Sequence, residues 1–536
     1  MQIDALTYRY PSRRNVVFAS RGMVATSHPL AAQAGLEILK KGGNAVDAAL
    51  ATAAALTVVE PTSNGLGGDA FALVWHEGRL EGLNGSGPAP SGLDAGPFRA
   101  GGLKALPAYG WPAVTVPGLP ATWGALSKRY GRLSLKEVLA PAAACAEEGH
   151  PVAPNVARLW HRAASLFGTN LRGDLFRPWF ETFCPGGRPP RPGELFRNPD
   201  QARTLAALAE TKGRDFYEGE LARRIVAFAE ATGGYLKPGD LAAFEPQWVE
   251  PLGVDYRGYR VWEIPPNGQG LVVLMALKIL EGFEFAHRDD PRTFHLQLEA
   301  MKLAFADGAR HIADRRFADV PVEELLGDAH AARRRALVAE DEARPPRADL
   351  TDQGGTVYLA AADGEGMMVS YIQSNFWGFG SGLVVPGTGV ALHNRGLGFS
   401  LEKDHPNVLE PGKRPYHTII PGFLTCRGEA VGPFGVMGAF MQPQGHVQVV
   451  MNSVDFGLNP QEALDAPRWQ WTSGKTVEVE PGFPHPAALD LARRGHDVRQ
   501  ALESTSFGRG QIIWRSDEGS LAGGTEPRAD GTIAAW

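Results

Sequence analysis

Up to residue 355 the apolar positions recur mostly at helical spacing, and from residue 356 they change to short β-prone runs. Residues 30–41 read as one helix, with Ser27 placed to cap it, Pro29 in its first turn, lysines in its last turn and Gly42-Gly43 as the stop. Residues 44–59 read as a second, with Asp47 in the first turn and alanines on most sides, which predicts a core helix packed on both faces. A glycine loop, Asn64-Gly65-Leu66-Gly67-Gly68-Asp69, separates it from a strand over residues 70–75. Further helices are expected over 117–129, 133–148, 221–231, 271–280 and 298–307. The later runs, 357–362, 367–373, 383–385 and 389–392, read as strands, and Asp363-Gly364-Glu365-Gly366 turns the first into the second as a hairpin. This is the pattern of an α+β protein.

Composition keeps the picture globular. With 44% hydrophobic and 21% charged residues in 536, the chain has ample material for a core; with no internal repeat, it reads as one intertwined unit. There are 53 basic against 59 acidic residues, net −6, and no long basic block, which speaks against a nucleic-acid partner. Cys145, Cys184 and Cys426 lie far apart without metal spacing, so neither a disulfide framework nor a metal site is expected, and a reducing compartment fits. Residues 1–11 hold no apolar core of signal-peptide length, and no later run is long enough to span a membrane; the expectation is a cytoplasmic protein with no membrane partner. The glycine loop comes after a helix and before a strand, the reverse of a nucleotide fingerprint. Gly-x-Ser-x-Gly, His-Glu-x-x-His and a phosphate-binding lysine loop are missing, so no cofactor is expected.

Candidate chemistry centres on Gly354-Gly355-Thr356, just after a charged, breaker-rich run over 341–349. A threonine hydroxyl is a weak nucleophile that needs a base within reach, and the amine of the same residue supplies one once the preceding peptide bond is cut. A free α-amine has a reference pKa of about 7.7–8.0, close to neutral working pH. Gly355, without a Cβ, lets the hydroxyl approach its carbonyl. Alone, the stretch also reads as a Gly-Gly turn ahead of an ordinary strand.

From Thr356 onward the chain resembles the gamma-glutamyltransferase family of N-terminal-nucleophile hydrolases. Residues 356–382 line up with its pattern without a gap, with Thr356 on the nucleophile and Asp363, Gly366 and Phe379-Gly380-Ser381-Gly382 in register; the likeness covers most of the chain. The resemblance implies a four-layer αββα sandwich built from two autoprocessed chains, a helix-rich 1–355 and a strand-rich 356–536, that stay associated after cleavage between Gly355 and Thr356. It places Ser374 where the family has a hydroxyl that supports the nucleophile; a hairpin would set the two side by side. It places Gly438 and Ala439 on the pair of adjacent glycines that donate to the oxyanion. Alanine keeps the N–H but disfavours positive φ, so the donor pair is expected to survive only if Ala439 has an ordinary backbone conformation.

Substrate recognition departs from the family. The arginine that grips an α-carboxylate is missing from Asn84-Gly85-Ser86-Gly87-Pro88, and Gly398 stands where an acidic residue holds the α-amino group. The family's serine pair becomes His417-Thr418, and its asparagine is offset by one at Asn375. Arg395, in the place of a glutamine, is a candidate for a carboxylate and Asp69 for an amine, or the two form a structural ion pair. His417, in an apolar run, reads more readily as a satisfied core histidine than as a catalyst. Residues 399–413 look too short for a lid. The expectation is an autoprocessed amidohydrolase or acyltransferase acting on a small molecule. That substrate is a γ-glutamyl compound such as glutathione, or else another acyl amide in the manner of a cephalosporin acylase. The alternative is an unprocessed binding protein; a homo-oligomer is possible.

Overall fold

The computed structural model describes residues 14–346 and 355–536. The N-terminal stretch, the end of the breaker-rich run and Gly354 fall outside the described residues.

Two seven-stranded antiparallel sheets lie face to face. The first runs, edge to edge, Thr532–Ala535, Gly22–Thr26, Gly355–Asp363, Met368–Phe376, Asp69–His76, Arg79–Asn84 and Gln247–Val249. The second runs Val17–Ala19, Leu521–Thr525, Arg509–Arg515, Glu429–Met437, Gly422–Cys426, Tyr259–Glu263 and Leu252–Tyr256. Strands alternate their side chains between faces, so the all-apolar 357–362 run serves two cores. Val357, Leu359 and Ala361 pack with helices Pro29–Lys40 and Ala45–Val59 outside the first sheet. Tyr358, Ala360 and Ala362 face the second sheet, whose other side is covered by Gly270–Leu280, Pro291–His311 and Met441–Val454. The architecture is the four-layer αββα sandwich, and each large side chain buried in it contributes about 1.5–3 kcal/mol. Gly435 lets the sheets close, because a Cβ there would lie 2.4 Å from the Tyr358 ring.

Both sheets take strands from either side of the 355–356 bond, so the two halves make one core. The Ala45–Val59 helix is buried along its whole length and opens with a capping box between Asn44 and Asp47. Some boundaries differ from expectation. Ser27 does not cap the first helix; His28 does, its Nδ1 accepting from the Leu30 N–H at 3.2 Å. Ser27 instead donates to the buried Glu60 carboxylate, which has few other donors. The hairpin strands are longer than read, and the 383–392 pair shrinks to Val384–Val385 against Val390–Ala391. No helix among the described residues is long and apolar enough to cross a membrane.

Candidate active site

Strand register sets three polar side chains in one row. Thr356 pairs with Ser374, and Ser374 pairs with Asp69 on the next strand. All three share the parity of residues that face the second sheet. Ser374 Oγ lies 3.0 Å from Thr356 Oγ1, donates to the Gly355 carbonyl oxygen at 2.7 Å and accepts from the Phe376 N–H at 2.7 Å. A serine hydroxyl has one proton, and the Gly355 bond uses it, so the Thr356 hydroxyl donates to Ser374. One side chain thus touches both the hydroxyl of Thr356 and the carbonyl that precedes it. A bulge between Gly355 and Thr356 breaks the ladder at this peptide bond.

Gly438 and Ala439 come directly after the Glu429–Met437 strand of the facing sheet. Their N–H groups have no acceptor among the described residues, as an anion-binding pair requires. Ala439 does not have the ordinary conformation that condition asked for: its φ is +46°, the left-handed region, at a cost of roughly 1 kcal/mol for a residue with a Cβ, yet its N–H stays unpaired among the described residues, so the condition was too strict. Gly438 takes φ +138°. Gln269 Nε2 holds the turn by donating to the Ala439 carbonyl at 2.9 Å.

The remaining candidates gather one strand beyond Ser374. Arg395 Nε and Nη2 donate to the two oxygens of Asp69 at 2.8 and 3.1 Å, and Nη1 donates to Thr418 Oγ1 at 2.8 Å. His417 Nε2 donates to Asp69 at 2.8 Å while its Nδ1 accepts from the Ile419 N–H, which fixes a neutral tautomer. His393 Nδ1 lies 3.3 Å from the same carboxylate. Burial alone would push the Asp69 carboxyl up, but Arg395 and His417 outweigh it and hold the group well below the usual carboxylate range. Burial and the Arg395 charge push the His417 imidazole down to about 4. The whole cluster is shut away from solvent, with the Phe376 ring 4.5 Å from the Arg395 guanidinium. Asp69 and Arg395 therefore bind each other, the second of the two alternatives the sequence left open. Asn375 is buried, and its side-chain amide has no partner among the described residues. The glycine loop presses onto it, since a Cβ on Gly68 would meet the Ser374 carbonyl oxygen at 2.5 Å and Asn375 Oδ1 at 2.9 Å.

A cavity of about 490 Å³ opens where Gly355 and Gly438 come together. Its polar lining includes two residues that the sequence did not single out, Thr62 and Arg509. Neither lies near Thr356 in the chain, and no motif marks them; only the pairing of Arg509 with Met437 brings the arginine beside Gly438. Away from this region, His295, Glu299 and His496 offer ligand atoms within 4.8 Å of one another and could hold a metal ion. They already form hydrogen bonds with each other, with Lys302 and with the Ala339 carbonyl.

Residues 31–536 match the family model described as gamma-glutamyltranspeptidase. The glutathione hydrolase-like YwrD proenzyme of Bacillus subtilis is 38% identical over 532 residues, covering 96% of this chain and 98% of that protein. The oxamate amidohydrolase proenzyme of Klebsiella pneumoniae is 36% identical over 533 residues, covering 97% and 99%. Among solved structures, the cephalosporin acylase from Bacillus halodurans is 59% identical, with a TM-score of 0.95 over 100% of this chain and 99% of that one.

Proposed function

The chain belongs to the gamma-glutamyltranspeptidase family, and on that premise we propose that it is a self-processing N-terminal-threonine amidohydrolase acting on a non-glutamyl acyl amide. The observation that carries this reading is Ser374 Oγ, within hydrogen-bond reach of both Thr356 Oγ1 and the Gly355 carbonyl oxygen. In the first reaction Thr356 Oγ attacks the Gly355 carbonyl. The C–N bond breaks, an ester forms, and water releases residues 1–355 from residues 356–536. The two chains stay together through the shared sheets. Thr356 then carries a free amine that takes the hydroxyl proton during attack on a substrate amide and passes it to the leaving nitrogen. Gly438 and Ala439 donate to the oxyanion, and water resolves the acyl-enzyme.

A non-glutamyl substrate is favoured because the groups that would grip an amino-acid head are absent or engaged. Asn84 is hydrogen-bonded to Ser86 and Asn267, and Arg395 is closed on Asp69 and Thr418. The similarity to a cephalosporin acylase points the same way. The second reading, a γ-glutamyl compound such as glutathione, is favoured by the relative named as glutathione hydrolase-like. Electrophoresis of purified protein tests processing: two polypeptides in the wild type and one in Thr356→Ala support it, and a single wild-type polypeptide refutes it. Comparing γ-glutamyl and simple acyl 4-nitroanilides separates the two substrate readings.

A further inference from the structure

Beside Gly438 runs a turn, Ser506-Phe507-Gly508, that leads into the Arg509–Arg515 strand. Gly508 takes φ +73°, and a Cβ there would meet the Met437 carbonyl oxygen at 2.8 Å, so a glycine is what lets this backbone lie against the end of the neighbouring strand. The two glycines are in close contact: a Cβ on Gly438 would stand 3.1 Å from Gly508 Cα and 3.6 Å from its nitrogen, and both residues line the cavity. The Gly508 N–H has no acceptor among the described residues. Its direction is set from the other side. Arg468 is buried and is no part of the cavity wall; its Nη1 donates to the carbonyl oxygens of Phe507 at 2.9 Å and Gly508 at 3.0 Å. The Phe507 carbonyl and the Gly508 N–H belong to one trans peptide, in which they point in opposite directions. A carbonyl drawn back to Arg468 therefore sends the N–H toward the cavity. The same bonds keep two carbonyl oxygens turned away from the corner where negative charge would develop.

We propose that the Gly508 N–H is a third donor to the oxyanion, beside those of Gly438 and Ala439, and that Arg468 is the positioning residue that aims it. Arg468 is fixed in turn. Its Nη2 donates to Glu526 at 2.9 Å, its backbone N–H donates to Glu480 at 2.7 Å, and Arg528 binds both carboxylates. Glu526 also accepts from the Gly510 N–H at 2.7 Å, which pins the strand just beyond the turn. Replacing a buried ion set by apolar side chains is often neutral or stabilising, so stability alone does not account for this one; holding a peptide in one direction does. The assignment rests on the amidohydrolase reading, because the oxyanion is the one formed when Thr356 Oγ adds to the substrate carbonyl.

Two measurements on the processed protein test it. In the first, kcat and KM for an acyl 4-nitroanilide, pentanoyl 4-nitroanilide, are compared in the wild type, Arg468→Lys and Arg468→Gln. A donor to the oxyanion acts in the transition state, so kcat is expected to fall about 10-fold in Arg468→Lys and about 100-fold in Arg468→Gln, with KM within about twofold of wild type. In the second, butylboronic acid is titrated into protein carrying carbonyl-¹³C phenylalanine and ¹⁵N glycine. Thr356 Oγ adds to the boron, its proton passes to the α-amine, and the tetrahedral boronate carries the charge of the oxyanion. The labelling isolates the five Phe-Gly peptides of the chain in an NMR spectrum, and Gly508 is identified by the signal lost in Phe507→Leu. The Gly508 amide proton is expected to move downfield on adduct formation in the wild type, less in Arg468→Lys and least in Arg468→Gln. A Gly508 proton that ignores the adduct, or a loss in the variants confined to KM or to melting temperature, overturns the proposal and leaves the amidohydrolase reading standing. Wild-type protein that stays one polypeptide and forms no adduct refutes that reading, and the proposal with it. Arg468→Lys carries both measurements should Arg468→Gln fail to fold or process.

Discussion

Two buried regions flank Ser374 and differ in how their polar groups are satisfied. On the Asp69 side, Arg395 has three donors engaged, His417 has both ring nitrogens engaged, and the cluster is closed to solvent. On the Gly438 side, two backbone N–H groups, the Thr62 hydroxyl and the Nε of Arg509 have no acceptor among the described residues, and a cavity reaches them. Two arginines close to one nucleophile candidate thus stand in opposite conditions. Charge and proximity are shared, and unmet hydrogen bonding is what distinguishes a place for a ligand from an internal strut.

The contrast can be broken most severely at the row itself. Thr356→Ala is expected to abolish processing and amide hydrolysis, a loss of at least about 1000-fold, read by electrophoresis and by mass analysis for a polypeptide beginning at residue 356. Ser374→Ala removes the donor on the Gly355 carbonyl and should slow processing by about 100- to 1000-fold in a time course of band splitting, the scale of losing one oxyanion donor. On the closed side the effect should fall on stability. Asp69→Asn strips Arg395 of its counter-charge and is expected to cost about 3–5 kcal/mol in denaturant unfolding of the single-chain Thr356→Ala background. If Asp69→Asn instead leaves stability intact and weakens substrate binding, the two regions have been assigned the wrong way round.

A pH series sharpens the same comparison. His417 is neutral in the folded protein because its pKa is pushed down to about 4, whereas in the unfolded chain it takes a proton near its ordinary value of 6.5. The unfolded state therefore binds more protons below pH 6.5. The stabilisation from this group is complete above that value and drains away as pH falls toward 4, by at most about 1.4 kcal/mol per pH unit. His28 and His150, pushed down to about 3 and 4 by burial, add to the slope. His417→Gln should flatten it in thermal melts between pH 7 and 4. The smallest effect is expected at Ala439→Gly, which relieves the positive φ and should change stability by about 1 kcal/mol or less in denaturant melts while processing continues.

Local pattern was informative well beyond single elements. The change from helical spacing to short β-prone runs at Thr356 and the Asp363-Gly364-Glu365-Gly366 turn predict a hairpin, which the structure contains with Thr356 set against Ser374. A hairpin is a local object, so its partners can be counted along the chain. The cap at His28 in place of Ser27 was not legible, because Ser27 is claimed by Glu60 across a helix. Nor was the backbone of Ala439, which depends on how the turn is held by Gln269.

By itself the sequence determined the α+β order of elements and the core position of the alanine helix, since both come from periodicity, whereas the hydroxyl pair at residues 356 and 374 was singled out by the resemblance to the family. Whether Arg395 and Asp69 face a ligand or each other, and that Arg509 stands beside Gly438, only the tertiary structure decided. Those outcomes hinge on pairings between residues 326 and 72 positions apart. Across such separations nothing in local chain geometry chooses among partners, and the packing of the two sheets does.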